Sequence, residues 1–255
     1  MTNPTDAEIA AMLSTTAEPP ASIKRGALIR TDLADQYTTA AGPLGEMFIA
    51  FTSLGISSIV PTSVESEFLD VHSRTVGRPG YRADGLPKKL ATLLDKSLSS
   101  GKLGRLPVDL RQLTGFQKEV LAVTAEIPPG QVRPYGWVAK EMGNNGAVRA
   151  VGSALGRNPV PIVIPCHRVV RSDGAVGNYA FGSPMKVALL EYEGIQPEML
   201  EPGSVALSGS DTTHIFCFPT CRHARITTQQ HRVEFASVKR ATAAGYRPCK
   251  VCRPA

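Results

Sequence analysis

The sequence predicts a mixed α/β (α+β) protein built from three parts, and three observations indicate this. Strand-like apolar runs occupy the first part of the chain, helical periodicity follows, and two pairs of cysteines lie near the end. The 255 residues can hold one large or two smaller domains. The predicted parts are an N-terminal extension (1–26), a first domain (27–105), a helical domain (106–196), a linker (197–212) and a metal-binding module (213–255).

The first domain is predicted to combine strands with one amphipathic helix. The extension before it offers only a short candidate helix at Asp6–Ser14. Apolar runs predict strands at Ala27–Thr31, Gly45–Thr52 and Ile56–Val60. A turn at Ser53-Leu54-Gly55 makes the last two strands a hairpin. Leucines at helical spacing between Leu86 and Leu98 predict the helix, and a linker follows at Gly101–Pro107.

The helical domain contains a helix-turn-helix pattern. The segment Thr114-Gly115-Phe116-Gln117 has the form of a capping box and predicts a helix start. Two short helices, at about Gly136–Met142 and Ala147–Gly156, are joined by a glycine-containing turn. Many helical proteins that never bind DNA share this pattern, so the partner of the second helix stays open. A last helix is predicted to be capped by Ser183 and to end at Gly194.

Cys166 is the candidate nucleophile. It follows the apolar run Pro159–Ile164, which predicts a buried strand that holds the sulfur in place. His167 and Arg168 come next, and cationic neighbours are expected to lower the pKa of the thiol and to favour the reactive thiolate. The alternative is that Cys166 is a small buried apolar residue beside a surface His–Arg pair.

The four remaining cysteines predict a metal centre. The spacings Cys217-x3-Cys221 and Cys249-x2-Cys252 suit tetrahedral Zn²⁺. A strand at Arg232–Phe235 and a helix at Ser237–Ala244 are predicted between the pairs. A module of fewer than about fifty residues buries too little core to fold unaided, so metal binding would stabilise it. Zinc can be purely structural here, or a zinc-bound cysteinate can be a second nucleophile.

The net charge of +6 is concentrated at the end of the chain. Residues 211–255 contain eight lysines and arginines but only two acidic residues, so the rest of the chain is balanced. A basic module on a neutral body favours a polyanionic partner, with nucleic acid first. A solvated basic face is the alternative.

Composition and motifs exclude several other classes of protein. No apolar run is long enough to span a bilayer and the first residues form no signal peptide, so we expect a cytoplasmic protein without a membrane partner. Five cysteines without a disulfide framework fit a reducing compartment. No motif indicates an organic cofactor or an oligomer, and a monomer is expected.

Four segments of the helical domain together resemble the O6-alkylguanine-DNA alkyltransferase family. They are Arg149-Ala150-Val151-Gly152, Asn158–Val170, Gly174–Tyr179 and Glu193-Gly194, and the match covers about residues 106–196. The region before it loosely resembles that family's N-terminal domain, and the last module resembles the metal-binding domain of the Ada protein. The resemblance implies an RNase H-like three-stranded sheet in the first domain and a winged helix-turn-helix in the second.

The resemblance also implies an activity, which is irreversible transfer of an alkyl group from O6-alkylguanine in duplex DNA to Cys166. His167 would act through a water as the base, and Glu193 would orient it. Asn158 would tie the helix-turn-helix to the Cys166 turn. Tyr135 would steer the 3′ phosphate and donate toward the base. Each molecule should act once, because a thioether has no hydrolytic exit.

The same resemblance implies that the target nucleotide leaves the duplex and that Arg149 fills its place in the stack. Small residues on the helix of Arg149 would allow a close approach to DNA; they are Gly152, Ser153 and Ala154. The guanine pocket would be lined by Pro161, Val169, Tyr179, Ala180 and Phe181. The bulk of Phe181 would narrow this pocket and penalise large alkyl groups.

For the last module the resemblance implies that its four cysteines bind Zn²⁺. Phe218 stands where an Ada-type domain is expected to have an arginine. This loss of a phosphate-facing charge disfavours methyl transfer from phosphotriesters to Cys217. The module would therefore aid DNA binding, or accept a methyl group in spite of that loss.

Overall fold

The computed structural model describes residues 20–200 and 207–254, so the helix predicted at Asp6–Ser14 lies outside the described residues. In these two ranges no helix combines the length and the apolar character that crossing a membrane requires. The mixed α/β fold class is confirmed, with two four-stranded sheets and a two-stranded pair among the described residues.

The described chain begins with helix α1, Ala21–Arg30. The strand predicted at Ala27–Thr31 is therefore wrong. Alanine, lysine, arginine and leucine, which favour helix, make up much of this segment. None of its residues is buried, so no neighbouring strand draws it into a sheet.

The first domain is a four-stranded sheet rather than the expected three-stranded one. Its strands are β1 (Asp35–Gly42), β2 (Gly45–Thr52), β3 (Gly55–Val60) and β4 (Gly80–Arg82), in the order β3-β2-β1-β4. The chain returns through helix α2, Glu65–Val76, and this crossover lets the short β4 pair with β1 in parallel. The predicted β2–β3 hairpin is confirmed.

The turn that joins β2 to β3 is held against the next part of the chain. A Cβ atom on Gly55 would lie 2.3 Å from the carbonyl oxygen of Pro107. The amide of Ile56 donates to the same oxygen at 3.0 Å, and the amide of Asp109 donates to the Ile56 carbonyl at 2.7 Å. The segment expected to be a linker is thus bonded to the sheet edge.

One continuous core joins this sheet to helix α3 (Lys88–Ser100) of the first domain and to three helices of the second domain. These three are α4 (Gly115–Ala125), α5 (Tyr135–Glu141) and α6 (Val148–Leu155). Helix α7 (Ser183–Tyr192) follows, and its Leu190 belongs to a separate apolar cluster with Val170 and Ile195. The capping box of Thr114 with Gln117 at the start of α4 is present. Helices α5 and α6 and the turn between them lie where the sequence predicts a helix-turn-helix. Gly182, and not Ser183, occupies the capping position of α7.

The run Pro159–Ile164 is a buried turn, and the strand predicted there is wrong. Prolines at 159, 161 and 165 carry no N–H donor, so the segment cannot make a strand ladder. Ile162 adopts a left-handed backbone with φ of 74°, which is unusual for a β-branched residue. The run ends in a single 3₁₀ turn, Cys166–Arg168, followed by strand β6, Val169–Val170. Strand β5, Arg133–Pro134, pairs with β6 in parallel.

The last module is a second four-stranded sheet with two short helices. Its elements are β7 (Leu207–Ser210), β8 (Ile215–Cys217), α8 (Arg222–Ile226), β9 (Arg232–Phe235), α9 (Val238–Ala243) and β10 (Arg247–Pro248). The strand order is β10-β8-β7-β9. The strand and helix predicted between the cysteine pairs are present. Because β7 is an inner strand of this sheet, part of the expected linker 197–212 belongs to the module.

Candidate functional site

The Cys166 sulfur is fixed by the turn that precedes it. Asn158 follows α6, and its Nδ2 donates to the carbonyl of Ile164 at 2.9 Å and lies 3.2 Å from Sγ of Cys166. Its Oδ1 accepts from the amide of Val160 at 3.1 Å. One buried amide therefore spans both ends of the turn and reaches the sulfur, so the turn after α6 is bonded to the cysteine.

Burial raises the pKa of the Cys166 thiol, which is 7% exposed. The hydrogen bond from Asn158 and the charge of Lys186 act in the opposite direction but are outweighed. The prediction of a thiol pKa lowered by the adjacent His167 and Arg168 is wrong for the free protein. The reason is geometric, since both of those side chains turn toward a carboxylate and away from the sulfur.

That carboxylate is Glu193, at the end of α7. Its Oε1 is 2.9 Å from Nε2 of His167, and Arg168 donates to both oxygens at 2.6 to 3.0 Å. The amide of Gly130 donates to Oε2 at 3.0 Å. Burial would raise the pKa of Glu193, but the bonds from His167 and Arg168 dominate and hold it at about 2. Glu193 is therefore an anion that orients the histidine.

The His167 ring is buried beside this carboxylate. Burial lowers the pKa of His167, although Glu193 acts in the opposite direction. With Nε2 facing Glu193, the other ring nitrogen, Nδ1, is buried and has no partner among the described residues. Arg168 adds rigidity, because it also donates to the carbonyls of Ile127 and Gly101, each at 2.7 Å. The ring is thus locked, and one of its nitrogens is available.

A cavity of about 550 Å³ opens onto Cys166. The helix-turn-helix supplies one wall and the loop after β6 supplies the other. Six of the predicted site residues line it: Tyr135, Arg149, Gly152, Cys166, Tyr179 and Ala180. Arg149 is exposed at the rim, and the Tyr135 hydroxyl lies 3.5 Å from the carbonyl of Asn178. The cavity is therefore bounded by a cation at its mouth and a thiol inside.

The other predicted residues lie elsewhere. Ser153 is exposed on α6 and donates to the carbonyl of Arg149 at 3.2 Å, whereas Ala154 is buried beneath the helix. Pro161 is buried inside the turn before Cys166. Val169 is fully buried, and none of these four residues lines the cavity.

Phe181 is also displaced from its expected place. It packs against the aromatic cluster of the first domain, formed by Tyr37, Phe48 and Phe68, and does not line the cavity. Its ring meets that of Tyr179 edge-on, with 5.8 Å between the centroids. Phe181 therefore supports a cavity residue from behind and does not narrow the pocket directly.

Lys186 on α7 is a site residue that sequence reasoning missed. It is fully buried, and its Nζ donates to the carbonyl of Val169 at 2.6 Å and lies 5.8 Å from the centroid of Tyr135. Burial lowers the pKa of Lys186 to about 8, against the influence of Cys166. A buried ammonium is costly unless it has partners, so its place near the thiol signals a role there. The sequence gives no signal of this burial, because a lysine on a helix is usually exposed.

The four cysteines of the last module form a metal centre. The sulfurs of Cys217, Cys221, Cys249 and Cys252 all lie within 4.8 Å of one another, and all four residues are buried without a disulfide. A buried set of four converging thiols fits tetrahedral zinc. Burial lowers the pKa of the nearby Arg133, and the four cysteines oppose that shift.

The comparisons with known proteins agree with both halves of this geometry. The family model described as "6-O-methylguanine DNA methyltransferase, DNA binding domain" matches residues 115–195, and the "Metal binding domain of Ada" matches residues 204–255. The methylated-DNA–protein-cysteine methyltransferase of Shigella flexneri is 41% identical over 131 residues, which cover 50% of this chain and 75% of the relative.

One further relative and one solved structure are also similar to this chain. The regulatory protein ada of Salmonella typhimurium is 35% identical over 165 residues, which cover 64% of this chain and 46% of that protein. The crystal structure of a variant of M. tuberculosis O6-methylguanine methyltransferase superposes with a TM-score of 0.50 and 31% identity, covering 62% of this chain and 92% of that one.

The fold and the site define a DNA-binding enzyme that transfers an alkyl group to one of its own cysteines in DNA repair. The chain belongs to the methylated-DNA–protein-cysteine methyltransferase family, and an Ada-type metal-binding domain follows its catalytic part. The four-cysteine centre of that domain is a structural zinc site.

Proposed function

We propose that Cys166 is the acceptor, that the donor is O6-alkylguanine in double-stranded DNA, and that each molecule reacts once. One observation carries this proposal: of the five cysteines, Cys166 alone lies outside the metal centre, and it lines the 550 Å³ cavity. A thioether product offers no acyl or phosphoryl bond for water to cleave, so the sulfur is not regenerated. That the protein works as a cytoplasmic monomer stays a prediction.

The reaction balances without a cofactor. A bond forms between Sγ of Cys166 and the alkyl carbon while the bond from that carbon to O6 of guanine breaks. The electron pair stays on the guanine, which gains one proton, and the thiol loses one. The buried, unpartnered Nδ1 of His167 supports proton acceptance through a bridging water, with Glu193 stabilising the resulting cation.

Three side chains, those of Asn158, Lys186 and Tyr179, stabilise the sulfur as it becomes an anion. Nδ2 of Asn158 is 3.2 Å from Sγ, and the ammonium of Lys186 acts on it electrostatically. The resting thiol stays neutral because of its burial, so thiolate forms only when a substrate and a base are in place. This arrangement protects the cysteine from other alkylating and oxidising agents.

The target base is buried in the duplex, so it must be flipped into the cavity before the sulfur can reach it. Arg149 is exposed at the cavity rim on α6, which suits insertion into the stack from the minor-groove side. Tyr135 lines the same cavity, and the contact of its hydroxyl with the Asn178 carbonyl is long, at 3.5 Å. The hydroxyl can therefore turn to donate to a bound base or phosphate.

Peptide-resolved mass spectrometry tests the acceptor. After incubation with a duplex that contains O6-methylguanine, the Cys166 peptide should gain one methyl group, in a one-to-one ratio with repaired guanine. The Cys166→Ser variant should gain none and should still bind the duplex. An unmodified Cys166 peptide in the wild-type protein would rule the proposal out.

A second function of the zinc domain is favoured by its own cavity. A space of about 350 Å³ is lined by Cys217 and Cys249 together with His223, Arg247 and Lys250. These basic groups can hold a phosphate beside a zinc-bound sulfur, although Phe218 turns into the main core and supplies no charge. We propose that Cys217 accepts a methyl group from methylphosphotriesters: a bond forms between Sγ of the thiolate and the methyl carbon, the bond from that carbon to the phosphate oxygen breaks, and a phosphodiester anion leaves. The test incubates Cys166→Ala protein with a duplex that contains a methylphosphotriester and measures the mass of the Cys217 peptide. A gain of one methyl group supports the proposal. An unmodified Cys217 would leave the zinc domain only a DNA-binding role.

A further inference from the structure

The first zinc knuckle packs directly on the catalytic part of the chain. The loop between Cys217 and Cys221 contains Phe218, which packs against the main hydrophobic core. The same loop contains the buried Thr220, whose Oγ1 accepts from the amide of Val132 at 3.0 Å. The loop that carries two zinc ligands is thus also the loop that touches the segment leading into α5.

The second zinc knuckle reaches the same helix. Arg253 follows Cys252 and makes an ion pair with Glu141, at the end of α5, with 2.6 Å between N and O. Its guanidinium also lies 5.7 Å from the ring centroid of Trp137, inside α5. The first knuckle therefore contacts the segment that leads into α5, and the second contacts α5 itself.

Arg133 lies between the two knuckles and is 2% exposed. Its guanidinium is 5.2 Å from the ring of Phe218 and 5.6 Å from that of Trp137. It donates only to neutral oxygens, the carbonyl of Val132 at 2.8 Å and Oε1 of Gln131 at 2.7 Å. Among the described residues no carboxylate pairs with it. Four thiolates around one Zn²⁺ carry a net double negative charge, and that cluster supplies the missing counter-charge.

The backbone of Arg133 connects this contact to the reaction centre. Arg133 pairs with Val169 in the β5–β6 ladder, immediately after the 3₁₀ turn of Cys166. Pro134 and Tyr135 follow directly, and Tyr135 lines the cavity. A shift of Arg133 would therefore move both walls of the site.

We propose that Arg133 is a positioning residue, through which the zinc–thiolate centre holds Tyr135 and helix α5 in place for alkyl transfer. This inference rests on the proposed role of Cys166 as the acceptor. It makes the zinc domain a part of the catalytic apparatus for guanine repair, in addition to any reaction of its own.

The test compares Arg133→Met, Arg133→Lys and the exposed control Arg240→Met in the full-length zinc-loaded chain. The single-turnover rate constant for methyl transfer to Cys166 is measured at saturating O6-methylguanine duplex, and zinc release is followed with a colorimetric chelator. Arg133→Met should lower the rate constant by about tenfold and speed zinc release by a similar factor. Arg133→Lys should restore most of both values, and Arg240→Met should match the wild type.

Wild-type protein stripped of zinc gives an independent measurement, since it needs no substitution, and its rate constant should fall in the same way. An unchanged rate constant in the zinc-free protein would overturn the inference. So would an Arg133→Met defect that Arg133→Lys does not rescue, because that result indicates a purely structural role. If the wild-type protein itself transfers no methyl group to Cys166, the proposed function fails instead.

Discussion

The charge next to the Cys166 sulfur comes from Lys186, and not from the adjacent His167 and Arg168. Lys186 is buried behind the cavity, while the side chains of His167 and Arg168 face Glu193. We therefore expect Lys186→Met to slow methyl transfer by about tenfold for each unit by which the pKa of Cys166 rises further. The single-turnover rate constant at saturating DNA measures this effect.

The matched control is Lys118→Met, which removes an exposed lysine from α4. Equal rate constants for Lys186→Met and this control would show that the buried ammonium does not support the thiolate. A rise in the pH at which the Cys166 thiol reacts with a small alkylating agent would support the electrostatic explanation directly.

The lowered pKa of His167 predicts the acid side of the pH–rate profile. Burial lowers this pKa below the ordinary value of 6.5. A protonated His167 cannot accept the thiol proton, so the rate falls as pH drops through the shifted pKa. Single-turnover rates should therefore decline toward acid pH with a midpoint below 6.5.

The exposed His231, which pairs with Asp211, provides the control for that profile. The His231→Gln variant should show the same acid decline as the wild type. A midpoint above pH 6.5 would contradict a buried base of lowered pKa at position 167.

Among individual residues, the sequence predicted correctly those site residues that a local pattern of neighbours or spacing marks. The zinc ligands follow from the two cysteine pairs, and Cys166 from its neighbours. The sequence did not predict Lys186 as a site residue, because a lysine on a helix is usually exposed. Only the packing of α7 shows that this one faces inward. Phe181 was misplaced because its contact with the first domain is long-range, and no local pattern encodes it.

Helices and strands were predicted correctly where one local sequence pattern determines them. The β2–β3 hairpin follows from apolar runs around a turn, and the start of α4 follows from the capping box at Thr114. Strand β1 has the sequence DQYTTAAG, which lacks apolar alternation, so its pairing depends on β2. For the run Pro159–Ile164 a strand was predicted where there is none. Its hydrophobicity is typical of a buried strand, but its prolines prevent strand pairing.

Gly55 shows how tightly one of these elements is fixed. Its φ is +135° and a Cβ atom would clash with the Pro107 carbonyl at 2.3 Å. Gly55→Ala should therefore lower the free energy of unfolding by more than about 1 kcal/mol. Urea denaturation measures it, and Gly85→Ala, where a Cβ atom meets nothing within 4 Å, is the control. Equal stabilities would mean that the turn can move away from residue 107.

At the scale of the whole molecule, the sequence predicted the parts but not their packing. The contacts of Phe218, Thr220 and Arg253 with the catalytic part join residues far apart in the chain, and no local pattern predicts them. The zinc domain is nevertheless docked on α5, and this makes metal binding a property of the whole enzyme. Zinc stabilises a module too small to fold alone, and the module in turn covers Trp137.

Trp137 is the only tryptophan of the chain and is 3% exposed, with Arg133 and Arg253 over its ring. Its fluorescence therefore reports directly on docking. Removal of zinc should unfold the module, release Arg253 and expose the indole, so the emission maximum should shift to longer wavelength. The first domain should keep its circular dichroism, because its sheet shares no strand with the module.

Readdition of zinc should restore the emission, whereas Mg²⁺ should not, since thiolates bind it poorly. The Arg253→Ala variant should already shift part of the emission in the presence of zinc, because the ion pair with Glu141 is lost. An unchanged spectrum after complete zinc removal would show that the module stays docked without its metal. The physical link drawn between the zinc centre and helix α5 would then fail, even if alkyl transfer to Cys166 were intact.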